Sequence, residues 1–264
     1  SILGPGAIGF IYAAWGATVS YLLMAGVFFL SWLATLAMVP AAQVMPEKRE
    51  DLGTGIRTGW TYMFKIQPLV GAMALDLFSV FFGGAVSLLP VYASDILHVG
   101  AQGLGLLNAA PAVGALVVML VATRHPPIAR AGRNLSLAVS GFGLSILCFA
   151  FSKNFFLSLG ALFFSGAFDG ISVVIRRSIL RLLSPDHLRG RIASVSSIFI
   201  CASNELGAFE SGMVAALIGT VPCVAVGGLL TFAVVGAVAK LAPQLRTLRF
   251  DVHTLERQEP AAPA

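Results

Sequence analysis

Four carboxylates interrupt long apolar runs of this chain, and their chemistry needs an explanation. They are Asp76 in "ALDLFSV", Asp169 in "GAFDGIS", Glu205 in "SNELG" and Glu210 in "AFESG". On insertion scales a charge at the centre of a bilayer costs about 2.5–3.5 kcal/mol, so each acid needs a partner or a task. A carboxyl group can bind and release a proton or hold a cation. A structural hydrogen bond is the alternative for each of them.

Asp169 has the most informative neighbours of the four acids. It lies near the middle of its apolar run, between Gly166 and Gly170. This spacing of small residues lets a neighbouring helix approach closely, so we expect Asp169 to face protein or a cavity rather than lipid. Arg176 follows seven residues later on almost the same helix face, about 10 Å along the axis. A direct ion pair between Asp169 and Arg176 is therefore not expected, although both can line one path.

Glu205 and Glu210 fall in a single apolar run. Asn204 and Ser203 stand beside Glu205 and add further hydrogen-bonding groups. Glu210 is five positions further on and points well away from Glu205 on a helix. We therefore do not expect these two acids to share a partner.

The composition of the chain points to lipid as its solvent. Hydrophobic residues make up 57% of the 264 residues and charged residues only 11%, against roughly 25% charged residues in a soluble domain. A water-soluble fold of this length cannot bury so much apolar side chain. The net charge of +5 would elsewhere suggest nucleic acid. Here the basic residues are confined to gaps between apolar runs, so we expect no nucleic-acid partner.

The apolar runs predict eight membrane-spanning helices, since a span needs about 20 mostly apolar residues. The runs are too uniformly apolar for barrel strands, which alternate every second residue, and helices satisfy their own backbone hydrogen bonds in lipid. The chain is therefore predicted to be an all-α polytopic membrane protein. The predicted spans are 2–15 (a short one), 17–39, 68–93, 102–123, 134–151, 155–180, 192–217 and 222–242.

The positions of lysine and arginine predict the orientation of these spans. If the helices alternate in direction, 16 of the 17 basic residues fall on one side and only Lys153 falls on the other. Short loops rich in Lys and Arg stay in the cytoplasm. Both ends of this chain are therefore predicted to be cytoplasmic, in a plasma (cytoplasmic) membrane.

The segment 181–191, "RLLSPDHLRGR", predicts a cytoplasmic link between the sixth and seventh spans. Asp186 suits the positive end of a helix dipole, and Gly190 leaves room for another backbone to pass closely. Arg189 and Arg191 can reach acidic side chains, helix carboxyl ends or lipid phosphates. Two interpretations stay open for this segment: a topology anchor, or a cytoplasmic gate whose ion pairs hold two helices together in one state.

The stretch "SPDHLRGRIASVSSIF" resembles the P-D-x-x-R-G-R segment before helix eleven of major facilitator superfamily transporters. "LDLFSVFFGGAVSLLPVYASDILHVG", "GLGLLNAAPAVGAL" and "ASNELGAFESG" are similar to the enterobactin-exporter-like branch, the transmembrane secretion effectors. The fold of that family is twelve helices in two six-helix halves. The resemblance implies that the eight spans are helices five to twelve of such a bundle.

This resemblance divides the chain into four parts. Residues 1–39 would hold the last two helices of the N-terminal half, and 40–67 would form a cytoplasmic loop between the halves. Residues 68–242 would form the six-helix C-terminal half, followed by a cytoplasmic tail at 243–264.

Two family motifs are partly present. Antiporters of this superfamily often carry G-P-x-x-G-G in helix five, and Gly4, Pro5 and Gly9 match it, with Phe10 in place of the last glycine. This motif is associated with exporters. The loop "RHPPIARAGR" keeps the basic residues and the glycine of a second motif but has no acid. The resemblance therefore favours 186–191 over this loop as the gate.

The resemblance implies a secondary active transporter, a proton-coupled exporter of a drug-like or siderophore-like molecule that works by alternating access. Its implied partners are a small-molecule substrate, protons and the lipid bilayer. It implies a monomer, with no cofactor and no metal. The candidates for a proton or substrate path are Asp76, Asp169, Asn204, Glu205 and Glu210. The candidates for the cytoplasmic gate are Asp186, Arg189, Gly190, Arg191 and Arg176.

Two other classes of protein remain as alternatives. A non-transporting scaffold or receptor could keep the helices without needing the acids within them. A membrane-embedded enzyme is disfavoured because its reactive groups would have to cluster, whereas His98, His125, His187 and His253 lie in separate segments.

Overall fold

The computed structural model describes residues 3–37, 52–125, 127–185 and 188–250, and regular structure in these ranges is helical. A 3₁₀ turn at Ala85–Leu88 and a π-helical turn at Tyr92–Ile96 flank the short helix α4. The helices are α1 (Leu3–Leu36), α2 (Leu52–Lys65), α3 (Gln67–Phe82), α4 (Leu89–Val91), α5 (Ala101–Arg124), α6 (Ala131–Ala150), α7 (Phe155–Leu183), α8 (Arg189–Ile218), α9 (Thr220–Leu241) and α10 (Pro243–Thr247).

Seven segments of the described chain are long and apolar enough to cross a membrane. All seven match predicted spans to within a few residues. α1 consists of two helices joined by a kink at Gly16, which has φ 77° and ψ −178°, so the break predicted between the spans 2–15 and 17–39 is confirmed. The part of α1 that qualifies as a span is Ala14–Leu36. The predicted span 2–15 corresponds to the part of α1 that precedes this kink.

The predicted cytoplasmic loop 40–67 contains a helix, α2, which the sequence analysis did not predict. α2 forms there because Trp60 and Met63 lie on one face and pack on the bundle. The Trp60 ring stacks on Phe199 of α8 with 5.2 Å between centroids, and Met63 is buried. The Tyr62 hydroxyl donates a hydrogen bond to the Leu183 carbonyl at the end of α7, at 3.2 Å.

The predicted tail 243–264 also begins with structure that packs on the bundle. α10 follows α9 directly, and Leu245 within it is buried. A side chain at Gly132, in the first turn of α6, would meet the Leu245 carbonyl oxygen. The tail beyond 250 lies outside the described residues.

The buried apolar side chains form two clusters, one towards each end of the bundle. Leu135 and Phe149 on α6 belong to different clusters and lie about 21 Å apart along the helix axis. We call the clusters the Leu135 core and the Phe149 core. The Leu135 core includes Met63, Leu75, Ile175, Ile179 and Val238. The Phe149 core includes Leu89, Tyr92, Leu107, Leu162 and Val224.

α5 and α7 pack closely through small residues, which confirms the predicted close approach at Gly166 and Gly170. A Cβ atom built on Gly166 would overlap the backbone of Pro111. One built on Gly170 would lie 3.1 Å from the Ala115 Cα atom. Because these two glycines have no side chain, the α5 backbone can pass close to them. This contact determines which face of α7 turns towards the interior of the bundle.

We expect Gly166→Ala to destabilise the fold by about 1–3 kcal/mol, because the added methyl group has no space and the opposing atoms are backbone. Gly160→Ala on the same helix is the matched control, since nothing lies within 4 Å of a Cβ there. Both substitutions gain the same helix propensity. Thermal unfolding of the purified variants should show a lower midpoint for Gly166→Ala alone, and equal midpoints would contradict this packing.

Candidate functional site

The span Gln67–Ile96 is broken near its middle, a feature that the sequence analysis did not predict. α3 ends at Phe82, and the chain continues through Gly83 and Gly84 into a 3₁₀ turn. The Ala85 amide donates to the Gly83 carbonyl at 2.6 Å instead of to the carbonyl four residues back. Irregular backbone at membrane depth is tolerated where it is buried in protein or lines a cavity. Two consecutive glycines within an apolar run were the available signal for this break.

The break lines a cavity of about 360 Å³. The cavity borders the Phe149 core, to which its lining residue Ile146 belongs, and Asp169 of its lining stands on α7 between Leu162 of the Phe149 core and Ile175 of the Leu135 core. Its lining is mostly apolar, with a few polar groups from different elements, which is typical of a small-molecule site. The polar side chains of the lining are Ser87, Ser165, Asp169 and Asn204.

Asp169 is the charged group of this cavity. It is 14 residues from each end of α7, and 46% of its side chain is exposed. The Asn204 amide nitrogen donates to the Ile200 carbonyl at 3.0 Å within α8. Ser165 likewise bonds within its own helix, to the Leu162 carbonyl at 2.7 Å. Asn204 and Ser165 are thus held by hydrogen bonds within their own helices, whereas the partly exposed carboxylate of Asp169 is accessible to a ligand.

Asp76 forms a buried ion pair with Arg176, which lies on α7 one hundred residues later in the chain. The side chains of Asp76 and Arg176 are 6% and 9% exposed. The Arg176 Nε atom also donates to the Ser172 carbonyl at 3.3 Å. Arg176 was expected among the basic residues of the cytoplasmic link, but the structure places it within the membrane span, where the Asp76 carboxylate compensates its charge.

A second expectation about Arg176 was wrong. We did not expect it to pair with Asp169, yet its Nη2 atom lies 3.8 Å from the Asp169 Oδ1 atom. Helical side chains lean towards the N-terminus of their helix, so the long Arg176 side chain spans most of the separation along the axis. Arg176 therefore contacts two acids, Asp76 closely and Asp169 at the limit of an ion pair.

The other two predicted acids lie elsewhere. Glu205 is exposed on α8, and Glu210 is half-buried on the same helix. Neither of them lines the cavity that contains Asp169 and Asn204. Of the five path candidates, Asp169 thus shares the larger cavity with Asn204 and is connected to Asp76 through Arg176.

The link between α7 and α8 differs from its prediction at Gly190. We expected a backbone to pass close to this residue, but nothing lies within 4 Å of a Cβ built there. The close approach occurs at Gly59 of α2, where a Cβ would lie 3.0 Å from the Arg191 carbonyl oxygen. The Arg189 Nη2 atom contacts the carboxyl end of α7 through the Arg181 carbonyl at 3.4 Å. Asp186 lies outside the described residues.

The helix-five motif residues Gly4, Pro5 and Gly9 lie within the helical backbone of α1. This placement agrees with a membrane helix, as the motif implies. Proline near the start of a helix is tolerated because the first amide groups have no acceptor within the helix.

Comparison with known proteins defines the class. The family model of the Major Facilitator Superfamily matches residues 1–208, so the chain belongs to this family of multi-pass membrane transporters, which are not enzymes. The chain is similar to the enterobactin exporter EntS of Escherichia coli O139:H28 and of Shigella boydii serotype 18, with 25% identity over 228 residues in each case. The match covers 86% of this chain and 54% of the relatives. The chain therefore spans about half the length of the curated relatives it matches.

Proposed function

We propose that the protein is a secondary active transporter that exports a small molecule, is driven by the proton gradient, and works by alternating access. Membership of the Major Facilitator Superfamily supports transport. The exporter relatives support the outward direction. The partial G-P-x-x-G-G motif at Gly4, Pro5 and Gly9 agrees with that direction. A siderophore-like or drug-like molecule is the substrate class that we carry over from these relatives.

The observation that carries the proposal is the position of Asp169. Its carboxyl group is at the midpoint of a membrane helix and opens into a cavity of about 360 Å³. The break in α3 lines the same cavity, and broken helices near the midplane mark binding sites in transporters. A carboxyl group in this place can bind a proton when the cavity faces one side of the membrane and release it when the cavity faces the other.

The remaining parts of the proposal concern orientation. We place both ends of this chain in the cytoplasm, because basic residues concentrate in one set of loops. We also place the protein in the plasma membrane, as a monomer. Residues 1–39 and 68–242 then belong to the two halves of the transporter, with 40–67 between them. Reporter fusions at the tail beyond 250 and at the turn near Asp95 should emerge on opposite sides.

We assign the gate to the link 186–191, together with Arg176 deeper in the membrane. Arg189 contacts the end of α7 at this link, and the backbone of Arg191 contacts α2. Ion pairs and hydrogen bonds at such a junction can hold α7 and α8 together in one state of the transport cycle.

Transport of a siderophore by the full-length protein in sealed vesicles tests the proposal. Vesicles with inverted orientation and an acidic interior should accumulate iron-free enterobactin or a fluorescent drug, and an ionophore that removes the pH gradient should abolish this accumulation. Protein-free vesicles are the control for leakage. If no tested compound accumulates and none binds to the purified protein, the scaffold or receptor interpretation replaces transport.

A further inference from the structure

α3 and α7 carry the same short pattern of an acid followed by serine three residues later. It reads "DLFS" at Asp76–Ser79 and "DGIS" at Asp169–Ser172. Residues three apart lie on one face of a helix. Because two spans, α5 and α6, lie between α3 and α7 in the chain, these two helices are antiparallel, and the two patterns run in opposite directions.

The two patterns enclose a second, smaller cavity. All four residues line it, and its volume is about 10 Å³, which is room for one water-sized particle. The rest of its lining is apolar, consisting of Val80, Val139, Phe142 and Phe168. The four polar side chains therefore supply the oxygen atoms of this cavity, two from hydroxyl groups and the others from carboxylates.

Ser79 indicates that the small cavity takes a ligand. Its side chain is 4% exposed, and its hydroxyl oxygen has no hydrogen-bond partner among the residues that the structure describes. A buried polar atom without a partner costs about 1–3 kcal/mol. A particle in the cavity would supply the missing contact.

The charges around the cavity indicate what this particle is. α3 contributes the carboxylate of Asp76, and α7 contributes the carboxylate of Asp169 and the guanidinium of Arg176. α6 contributes only apolar side chains to the lining. Two ionised carboxylates and one guanidinium together carry one net negative charge within the membrane. One monovalent cation neutralises this charge, whereas a divalent cation would leave one net positive charge. Carboxylate and hydroxyl oxygens are ligands that hard cations prefer.

We propose that the small cavity is a binding site for one sodium ion, held by Asp76, Ser79, Asp169 and Ser172. The ion enters from the larger cavity past Asp169, because Asp169 lines both cavities. Sodium binding does not require that the protein be an exporter, and it is measured without transport.

Thermal unfolding in detergent, in sodium, potassium or choline chloride at one ionic strength, tests the site. We expect sodium to raise the unfolding midpoint at pH 8 in a saturable way, while potassium and choline do not. Equal midpoints in sodium and choline at pH 8 would overturn the proposal and leave a water site.

Ser79→Ala connects the effect to this cavity. It should lower the apparent sodium affinity by at least about tenfold, because it removes one of the four proposed ligands and even the loss of an outer-shell partner costs about 10–100-fold in metal affinity. Ser172→Ala should do the same from the other helix. Ser145→Ala is the matched control, because this buried serine lies outside both cavities and bonds to the Gly141 carbonyl at 2.9 Å. Wild-type affinity in both Ser79→Ala and Ser172→Ala would refute the site. Sodium binding without transport would instead refute only the exporter function.

Discussion

Asp76→Asn is expected to lower the free energy of unfolding by about 3–5 kcal/mol, because it leaves the buried guanidinium of Arg176 without its close partner. Asp169 cannot replace that partner, since its oxygen atom is 3.8 Å from Arg176 and its side chain is 46% exposed. A marked fall in the thermal midpoint and in the yield of folded protein should follow.

Two further variants separate the ion pair from other effects of the substitution. Asp95→Asn removes an exposed carboxylate, which accepts a hydrogen bond from the neighbouring Ser94 hydroxyl, and should melt like the wild type. The double variant Asp76→Leu with Arg176→Met removes both charges, and it should recover most of the lost stability. Wild-type stability of Asp76→Asn would show that Asp76 does not hold Arg176 in the folded protein.

Asp169→Asn is expected to abolish the accumulation of substrate that a pH gradient drives, while the protein still folds. The amide keeps the shape and polarity of the side chain but cannot release a proton. Asp169 contributes little to the fold, because its only ion pair within the described residues is the long one to Arg176. Accumulation of substrate should therefore fall to the level of protein-free vesicles.

Substrate exchange distinguishes loss of coupling from loss of binding. In vesicles loaded with unlabelled substrate and without a pH gradient, Asp169→Asn should still exchange labelled substrate, since exchange needs no net movement of protons. Asp95→Asn is again the control, because it removes an exposed carboxylate and passes through the same purification and reconstitution. Pumping by Asp169→Asn at the wild-type rate would exclude this carboxyl group from the coupling path, and Glu205→Gln would then be the next variant to test.

The sequence predicted the spans well because a membrane helix is specified locally. Length and apolar character alone placed seven spans to within a few residues. α2 was missed because its amphipathic pattern is short and interrupted by glycines. It becomes a helix through contacts with distant residues such as Phe199 and Leu183.

The site was predicted less completely because its contacts join distant parts of the chain. The intramembrane position of Asp76 and Asp169 marked both acids, but it did not show that Arg176 connects them. Glycines were a partial guide: the paired spacing of Gly166 and Gly170 correctly predicted a close backbone, whereas the single Gly190 faces open space. The pair Gly83–Gly84 was a local signal for the break in α3, and combining it with the acids would have located the cavity.

The interruption of α3 falls where the Leu135 core gives way to the Phe149 core. Leu75 belongs to the first cluster and Leu89 to the second, whereas α6 and α7 run through both as continuous rods. The Gly83–Gly84 junction is packed closely on two other helices, because a Cβ on Gly83 would meet the Phe142 ring of α6 and one on Gly84 would meet the Ser211 hydroxyl of α8. The broken backbone thereby joins α6 and α8 at the wall of the cavity, while the ion pair of Asp76 with Arg176 lies on the unbroken part of α3.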